Sequence, residues 1–336
     1  MAVSTSARKR PTEALAQALC GLMAGAADPL GRACIGLASH HARHPLLEVE
    51  VAQLYDDMPA WLHMKAAAEP CEDDVASLDQ RQARALLESL QQIEPALAHY
   101  LFRAACGWVP CPHEPAIVSW LSARREQFAS VLGRDLACAS KKVLQLGDPG
   151  IRSREDWSVA IDASGATDQD ITVGRYAEVR AVYGTPAYAS IFNPAERRNV
   201  HLGLDLGVPA GTPVHAPLEG MVHSFADNDV AGDYGPTIIL EHRPDSLVAP
   251  FYTLYGHLHR PSLDNLAQRQ PIARGQRIGW IGDSHENGGW PPHLHFQIMT
   301  DMLGLSGNFY GVGEVSKLAL WKSICPDPNL ILGMSP

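Results

Sequence analysis

Two short stretches hold residues whose types and spacing can do chemistry. In "PPHLHFQI" two histidines, His293 and His295, stand two residues apart, and in "HLGLDLGV" His201 and Asp205 stand four apart. Side chains alternate faces along a strand, so His293 and His295 share one face while Leu294 and Phe296 take the other. If residues 201–206 form one strand, His201, Gly203 and Asp205 likewise share a face, and Leu202, Leu204 and Leu206 go to the core. A glycine between an imidazole and a carboxylate leaves the open volume that a metal ion between two ligands requires. His201, Asp205 and one histidine of the 293/295 pair make the two-nitrogen, one-oxygen donor set of a catalytic zinc, which keeps its fourth position open. The remaining histidine is then available to accept a proton from water or to support an oxyanion. His257, in "YTLYGHLH" with a glycine before it, is a further candidate. Taken singly each pattern is weak, since a second H-x-H occurs at His257/His259. Their joint occurrence, in this order and each in a β-like run with glycine or proline nearby, is what gives them weight.

The elements that must position these residues fall in the second half of the chain. From about residue 181 to 324, short alternating runs such as "PTIILEH", "FYTLYGHL" and "RIGWIGD" are separated by Gly/Pro turns, which predicts an antiparallel sheet or sandwich. The first half, residues 1–145, reads as a helical scaffold. "DDVASLDQRQARALLESLQQI" places Val75, Leu78, Leu86 and Leu90 at helical spacing after an Asp pair, and "EPAIVSWLSARREQFASVL" opens on a first-turn proline. Residues 146–180, rich in Gly, Asp, Ser and Thr, predict a linker or loop-heavy entry, and residues 325–336 a surface-lying tail. The fold class expected is therefore α+β and multidomain: an all-helical N-terminal region followed by an antiparallel β domain.

Composition narrows the partners. A net charge of −10 argues against nucleic acid, which needs a basic footprint, and against passive adhesion to anionic membranes or cell-wall polymers. No apolar run reaches the ~18 residues a membrane span needs. The seven cysteines, an odd number with six before residue 140, fit a reducing compartment better than a disulfide framework. "CGWVPCPH" places Cys106, Cys111 and His113 together, but no partner pair follows at zinc-finger spacing. At the N-terminus, Glu13 and Gln17 interrupt the apolar core a secretory signal would have, so an amphipathic helix starting after Pro11 and a cytoplasmic location are expected.

Five separated blocks over roughly residues 180–300 resemble the lysostaphin/LytM-type zinc metallopeptidases: "HLGLDLGVPAGTPVHAPLEGMVHSF", "DYGPTIILEH", "FYTLYGHL", "RIGWIGD" and "PPHLHFQI". The resemblance implies one zinc per chain, held by His201, Asp205 and His295, with His257 and His293 as catalytic partners. It implies a groove over the metal, for which Tyr234, Tyr255, Glu286 and Trp290 are the wall candidates. Two blocks depart from the family pattern. Pro236 stands where asparagine is usual, and the loop "GDSHENGGWPP" is longer than its small Ser/Gly-rich counterpart. The helical half, in "HPLLEVEVAQLYDDM" and "AHYLFRAACGWVPCPH", resembles the connecting region of proteins that join an aminoglycoside-phosphotransferase-like domain, a LytM-like domain and a class III aminotransferase, without the kinase's nucleotide loop or catalytic Asp motif.

The expected function is a zinc metallohydrolase acting on an amide bond of a peptidoglycan-type or small peptide. The alternatives are a cytoplasmic zinc enzyme that tailors a small amine or amino-acid derivative, and a non-catalytic LytM-like interaction module.

Overall fold

A computed structural model describes residues 29–43, 45–46, 88, 90, 94–190, 192–193 and 195–334. The chain divides into two units, Met1–Pro110 with Ile191–Ala195, and Cys111–Ser190 with Glu196–Pro336. In the first unit, α1 (Pro29–Arg43) and α2 (Pro95–Ala105) pack against each other, burying Leu30, Ala33 and Leu37 on one and Leu97, Leu101 and Phe102 on the other. The helix expected over residues 73–93 and most of "HPLLEVEVAQLYDDM" lie outside the described residues. Among the described residues no helix is long and apolar enough to cross a membrane.

The second unit is built on a sheet. Its strands are β1 (Lys141–Val143), β2 (Ile171–Gly174), β3 (Arg198–His201), β4 (Leu204–Gly207), β5 (Pro213–His215), β6 (Gly220–Asn228), β7 (Gly235–His242), β8 (Phe251–Gly256), β9 (Pro271–Ile272), β10 (Arg277–Trp280), β11 (His293–Met299) and β12 (Val312–Glu314). Eight of them form one sheet in the order β1-β2-β4-β11-β8-β7-β6-β9, while β10 pairs with β5 and β12 with β3. Every pairing is antiparallel except β1 with β2, which is parallel. Strand β11 is central. Its Phe296 lies opposite Leu204 of β4 and Tyr255 of β8, and these side chains join Leu206, Leu294, Ile298, Ile238 and Phe251 in the core.

Several expectations need correction. Residues 201–206 are not one strand: the chain bends at Leu202–Gly203, so His201 ends β3 beside β12 while Asp205 belongs to β4 in the main sheet. The segment 146–180 is not a linker. It carries α4 (Arg154–Ala163), whose Ser153 cap accepts from Asp156 N at 3.1 Å while Asp156 accepts from Ser153 N at 2.9 Å, and it supplies β2 to the sheet. The helix read over residues 114–132 stops early, as α3 (Glu114–Ser122). Beyond it the backbone is claimed by the β unit, since His215 N donates to Val131 O and Ala129 N to Pro217 O, both at 2.8 Å, and Val131 and Leu132 are core residues. With β1 also inside the supposed helical half, the unit boundary falls at Pro110/Cys111 rather than at 145. Finally, the C-terminal tail is not surface-lying. After α5 (Leu318–Ile324) it forms α6 (Asn329–Leu332) and sinks Ile331, Leu332 and Met334 into the core.

Candidate metal centre

The period-two pattern of β11 puts His293, His295 and Gln297 on the face opposite the core, and all three are buried. Register then brings in the other strands: His295 sits across from Asp205 of β4 on one side and Gly256 of β8 on the other. His201 reaches the same point from β3. His201 Nε2 lies 3.1 Å from Asp205 Oδ1, His295 Nδ1 lies 3.2 Å from the same oxygen, and the two nitrogens are 3.0 Å apart. Among the described residues this is the one group of three or more possible ligands whose donor atoms converge, and Cys106, Cys111 and His113 form no such group. Gly203 does not provide the open space first assigned to it. A Cβ there would stand 2.5 Å from the His295 ring, so the glycine makes room for that imidazole itself.

The far side of each imidazole fixes its tautomer, assigned from the acceptors it meets. His201 Nδ1 donates to Arg175 O at 2.9 Å, which leaves Nε2 as the bare nitrogen. His295 Nε2 donates to Gln297 Oε1 at 2.9 Å, which leaves Nδ1 bare. Gln297 is oriented for this because its own Nε2 donates to Tyr310 O at 3.1 Å and to Cys325 Sγ at 3.3 Å. Two lone pairs and a carboxylate oxygen therefore face one another at close range, an arrangement that repels until a cation stands between them. Ligands at 2.0–2.1 Å from a tetrahedral zinc are about 3.3 Å apart, close to the three separations here, so the donor set fits zinc.

Two more imidazoles adjoin the cluster. His293 Nδ1 donates to Pro291 O at 2.7 Å and its Nε2 is 3.6 Å from Asp205 Oδ1. His257 Nδ1 donates to Asn287 O at 2.8 Å, and the His257 and His293 ring centroids are 4.2 Å apart. Alternation along β8 would send His257 to the core side. Its backbone instead turns into the left-handed region, φ 62°, held by His257 N on Tyr234 O at 2.8 Å and Gly282 N on His257 O at 2.9 Å. Burial pushes His201 down to about 4 and places His257 well below and His293 below the usual histidine value, so all three are neutral imidazoles at neutral pH. Burial works to raise the Asp205 carboxyl, but the facing His201 and Arg180 overcome it and hold the group well below the usual carboxylate range.

All five residues open onto a cavity of about 460 Å³ walled by Trp157, Tyr183, Tyr188, Tyr234, Trp290 and Phe309. Of the four expected wall residues, Tyr234 and Trp290 are there, Tyr234 with its hydroxyl 3.5 Å from His295 Nε2. Tyr255 and Glu286 are not. Tyr255 is opposite Phe296, so it shares the core face and is fully buried there, its hydroxyl bonded to Thr253 Oγ1. Glu286 turns its carboxylate away to bind His259 Nδ1 at 2.6 Å and Arg260 N at 2.9 Å, which fastens the loop before β11. Residues that sequence reasoning missed are Gln297, Trp157 and Arg180. Gln297 was findable, since it continues the 293, 295 spacing, whereas nothing local marks Trp157, whose ring centroid is 5.1 Å from that of His293.

Residues 199–306 match Peptidase family M23. Over 116 residues the chain is 34% identical to an uncharacterized metalloprotease of Haemophilus influenzae, covering 33% of this chain and 22% of that protein. Over 100 residues it is 31% identical to peptidoglycan DD-endopeptidase ShyA of Vibrio cholerae, covering 30% and 20%. The catalytic domain of lysostaphin from Staphylococcus simulans is similar at 24% identity over 36% of this chain and 80% of that one, with a TM-score of 0.25. The chain thus spans about a fifth of the length of these curated relatives. The match to Peptidase family M23 over residues 199–306 falls on the stretch that holds the five sequence blocks.

Proposed function

We propose that this chain is a zinc-dependent metalloendopeptidase that hydrolyses amide bonds in peptidoglycan-type peptides. The observation that carries the reading is the convergence of His201 Nε2, Asp205 Oδ1 and His295 Nδ1 within 3.2 Å of one another, beside two neutral imidazoles in one cavity. When bound there, zinc supplies Lewis acidity, polarising a scissile carbonyl and easing the ionisation of water. His257 and His293 each anchor Nδ1 on a backbone carbonyl and so keep Nε2 unprotonated. One Nε2 takes the proton that water gives up on attack. Once protonated, that imidazole donates to the oxyanion or returns the proton to the departing amine. The aromatic walls exclude water and hold an extended peptide, and the cavity is of the size that ligand sites commonly have. The relatives named for their activity are peptidases, and the amine-tailoring and non-catalytic readings draw no support from them.

The test is digestion of cross-linked muropeptides by the zinc-loaded chain, read by mass spectrometry beside a chelator-stripped sample and His293→Ala. Cleavage by the loaded wild type alone, restored to the stripped sample by zinc, is expected. Intact muropeptides after incubation with zinc-loaded wild type would remove this substrate class.

A further inference from the structure

We propose that Arg180 is a positioning residue for the metal centre: its guanidinium takes Asp205 Oδ2 and restricts this ligand to a single oxygen. The Arg180 side chain is 0% exposed, and its Nη1 donates to Asp205 Oδ2 at 2.7 Å. On its other edge Nε donates to Glu178 Oε2 at 3.0 Å, and Nη2 meets Arg175 O at 3.3 Å. The face of the guanidinium lies 5.3 Å from the Trp157 ring centroid. Held on its edges and its face, the group has one orientation. Arg180 precedes residue 199, where the family match begins, so that match assigns it nothing.

The same segment is fixed to the ligand strand. Arg180 N donates to Asn199 O at 2.9 Å, His201 N to Glu178 O at 2.9 Å and Ala177 N to His201 O at 2.8 Å. A second, independent feature keeps the ion pair in place. Gly174 of β2 is opposite Asp205 of β4, and a Cβ on it would stand 2.7 Å from both Arg180 Nη2 and Asp205 Oδ2. The glycine is the space the pair occupies.

A carboxylate binds a metal through one oxygen or two. With Oδ2 committed to a short charge-assisted bond, only Oδ1 is left, and it faces both ligand nitrogens. A two-oxygen aspartate would take up coordination space that a catalytic zinc keeps for water and substrate. Lysine replaces this function only in part, because a point charge cannot hold Asp205 and Glu178 on two edges of one plane.

The inference rests on the cluster being the metal site, and cobalt substitution of the 336-residue chain separates the two. Co²⁺ absorbs strongly in the visible when four-coordinate and weakly at higher coordination number, so band intensity reports how Asp205 binds. Wild type is expected to give intense bands at one Co²⁺ per chain. Arg180→Met and Gly174→Ala, the second keeping the charge but displacing the pair, are expected to lose roughly half or more of that intensity while still binding metal. Arg180→Lys recovers only part of it, and if Arg180→Met does not fold, Gly174→Ala and Arg180→Lys carry the test. Metal bound with the wild-type spectrum in the folded variants overturns the role of Arg180 alone. Wild type that binds no Co²⁺ overturns the metal reading beneath it and this inference with it.

Discussion

On one face of β11, Leu294, Phe296 and Ile298 meet Leu204, Leu206 and Tyr255; on the other, His293, His295 and Gln297 meet His201, Asp205 and His257. Both faces are removed from water, with none of these six β11 residues more than 3% exposed. The first is held by burial of apolar area, which is tolerant of exact shape. The second is held by directional bonds, each imidazole pinned by one acceptor on its far nitrogen. The contrast teaches that equal burial hides unequal demands: the apolar face needs volume, and the polar face needs particular atoms delivered from distant segments.

The sharpest way to break this comparison is to alter the polar face without touching the fold. His293→Ala or His257→Ala should lower kcat/KM on a cleaved peptide by about 10²–10⁴-fold, with zinc content and melting temperature retained. A melting temperature that collapses with the activity would mean the polar face is a structural element. The converse change is Phe296→Ala. It should cost about 3–5 kcal/mol in urea unfolding while activity per folded molecule survives. Loss of zinc in that variant would show that the two faces are not separable.

His242 sharpens the contrast, being a buried imidazole away from the site. Its Nδ1 donates to Glu219 O at 2.7 Å and its Nε2 faces Thr253 Oγ1 at 2.8 Å. Burial lowers it from 6.5 to about 4, against smaller opposing effects of the Glu219 carbonyl and Glu241. Between those pH values the unfolded chain binds the proton and the folded chain does not. This contribution to stability is therefore full above about pH 6.5 and declines as the pH falls towards 4, by about 3 kcal/mol in all. Urea unfolding at stepped pH should show a shallower decline for His242→Gln than for wild type; parallel declines would mean that His242 is not the group responsible. Gln297→Leu removes the acceptor behind His295 and should weaken zinc binding by about 10–100-fold in a chelator competition, with unaltered secondary structure by circular dichroism. Ser153→Ala, which deletes the cap of the helix carrying Trp157, should cost only about 1 kcal/mol. A larger loss would show that the segment before the family match is more deeply coupled to the sheet than its bonds indicate.

The five histidine and aspartate positions were legible because alternation and spacing are local properties of the chain. The core face of β11 was legible for the same reason. What alternation could not show is where it fails. The bend at Leu202–Gly203 and the left-handed turn at His257 both redirect a side chain that a regular strand would have placed elsewhere. Tyr255 was misread because "YGH" joins a core residue to a site residue across that turn. Residues 146–180 looked like a linker because loops with Gly, Asp and Ser surround one short helix and one four-residue strand. Their importance is tertiary, in the Trp157 ring on His293 and the Arg180 fork on Asp205, and no window of sequence contains both partners. The tail was misread because its one helix is a single turn, which with Met334 beyond it is too short for a period to appear.

The metal content of the purified chain, measured by mass spectrometry beside Asp205→Ala, His295→Ala and His293→Ala, tests the centre of this reading most directly. One zinc per chain in wild type and in His293→Ala, with little or none in Asp205→Ala and His295→Ala, is the expected result. Full zinc in the Asp205 and His295 variants, or none in wild type after loading, would contradict it.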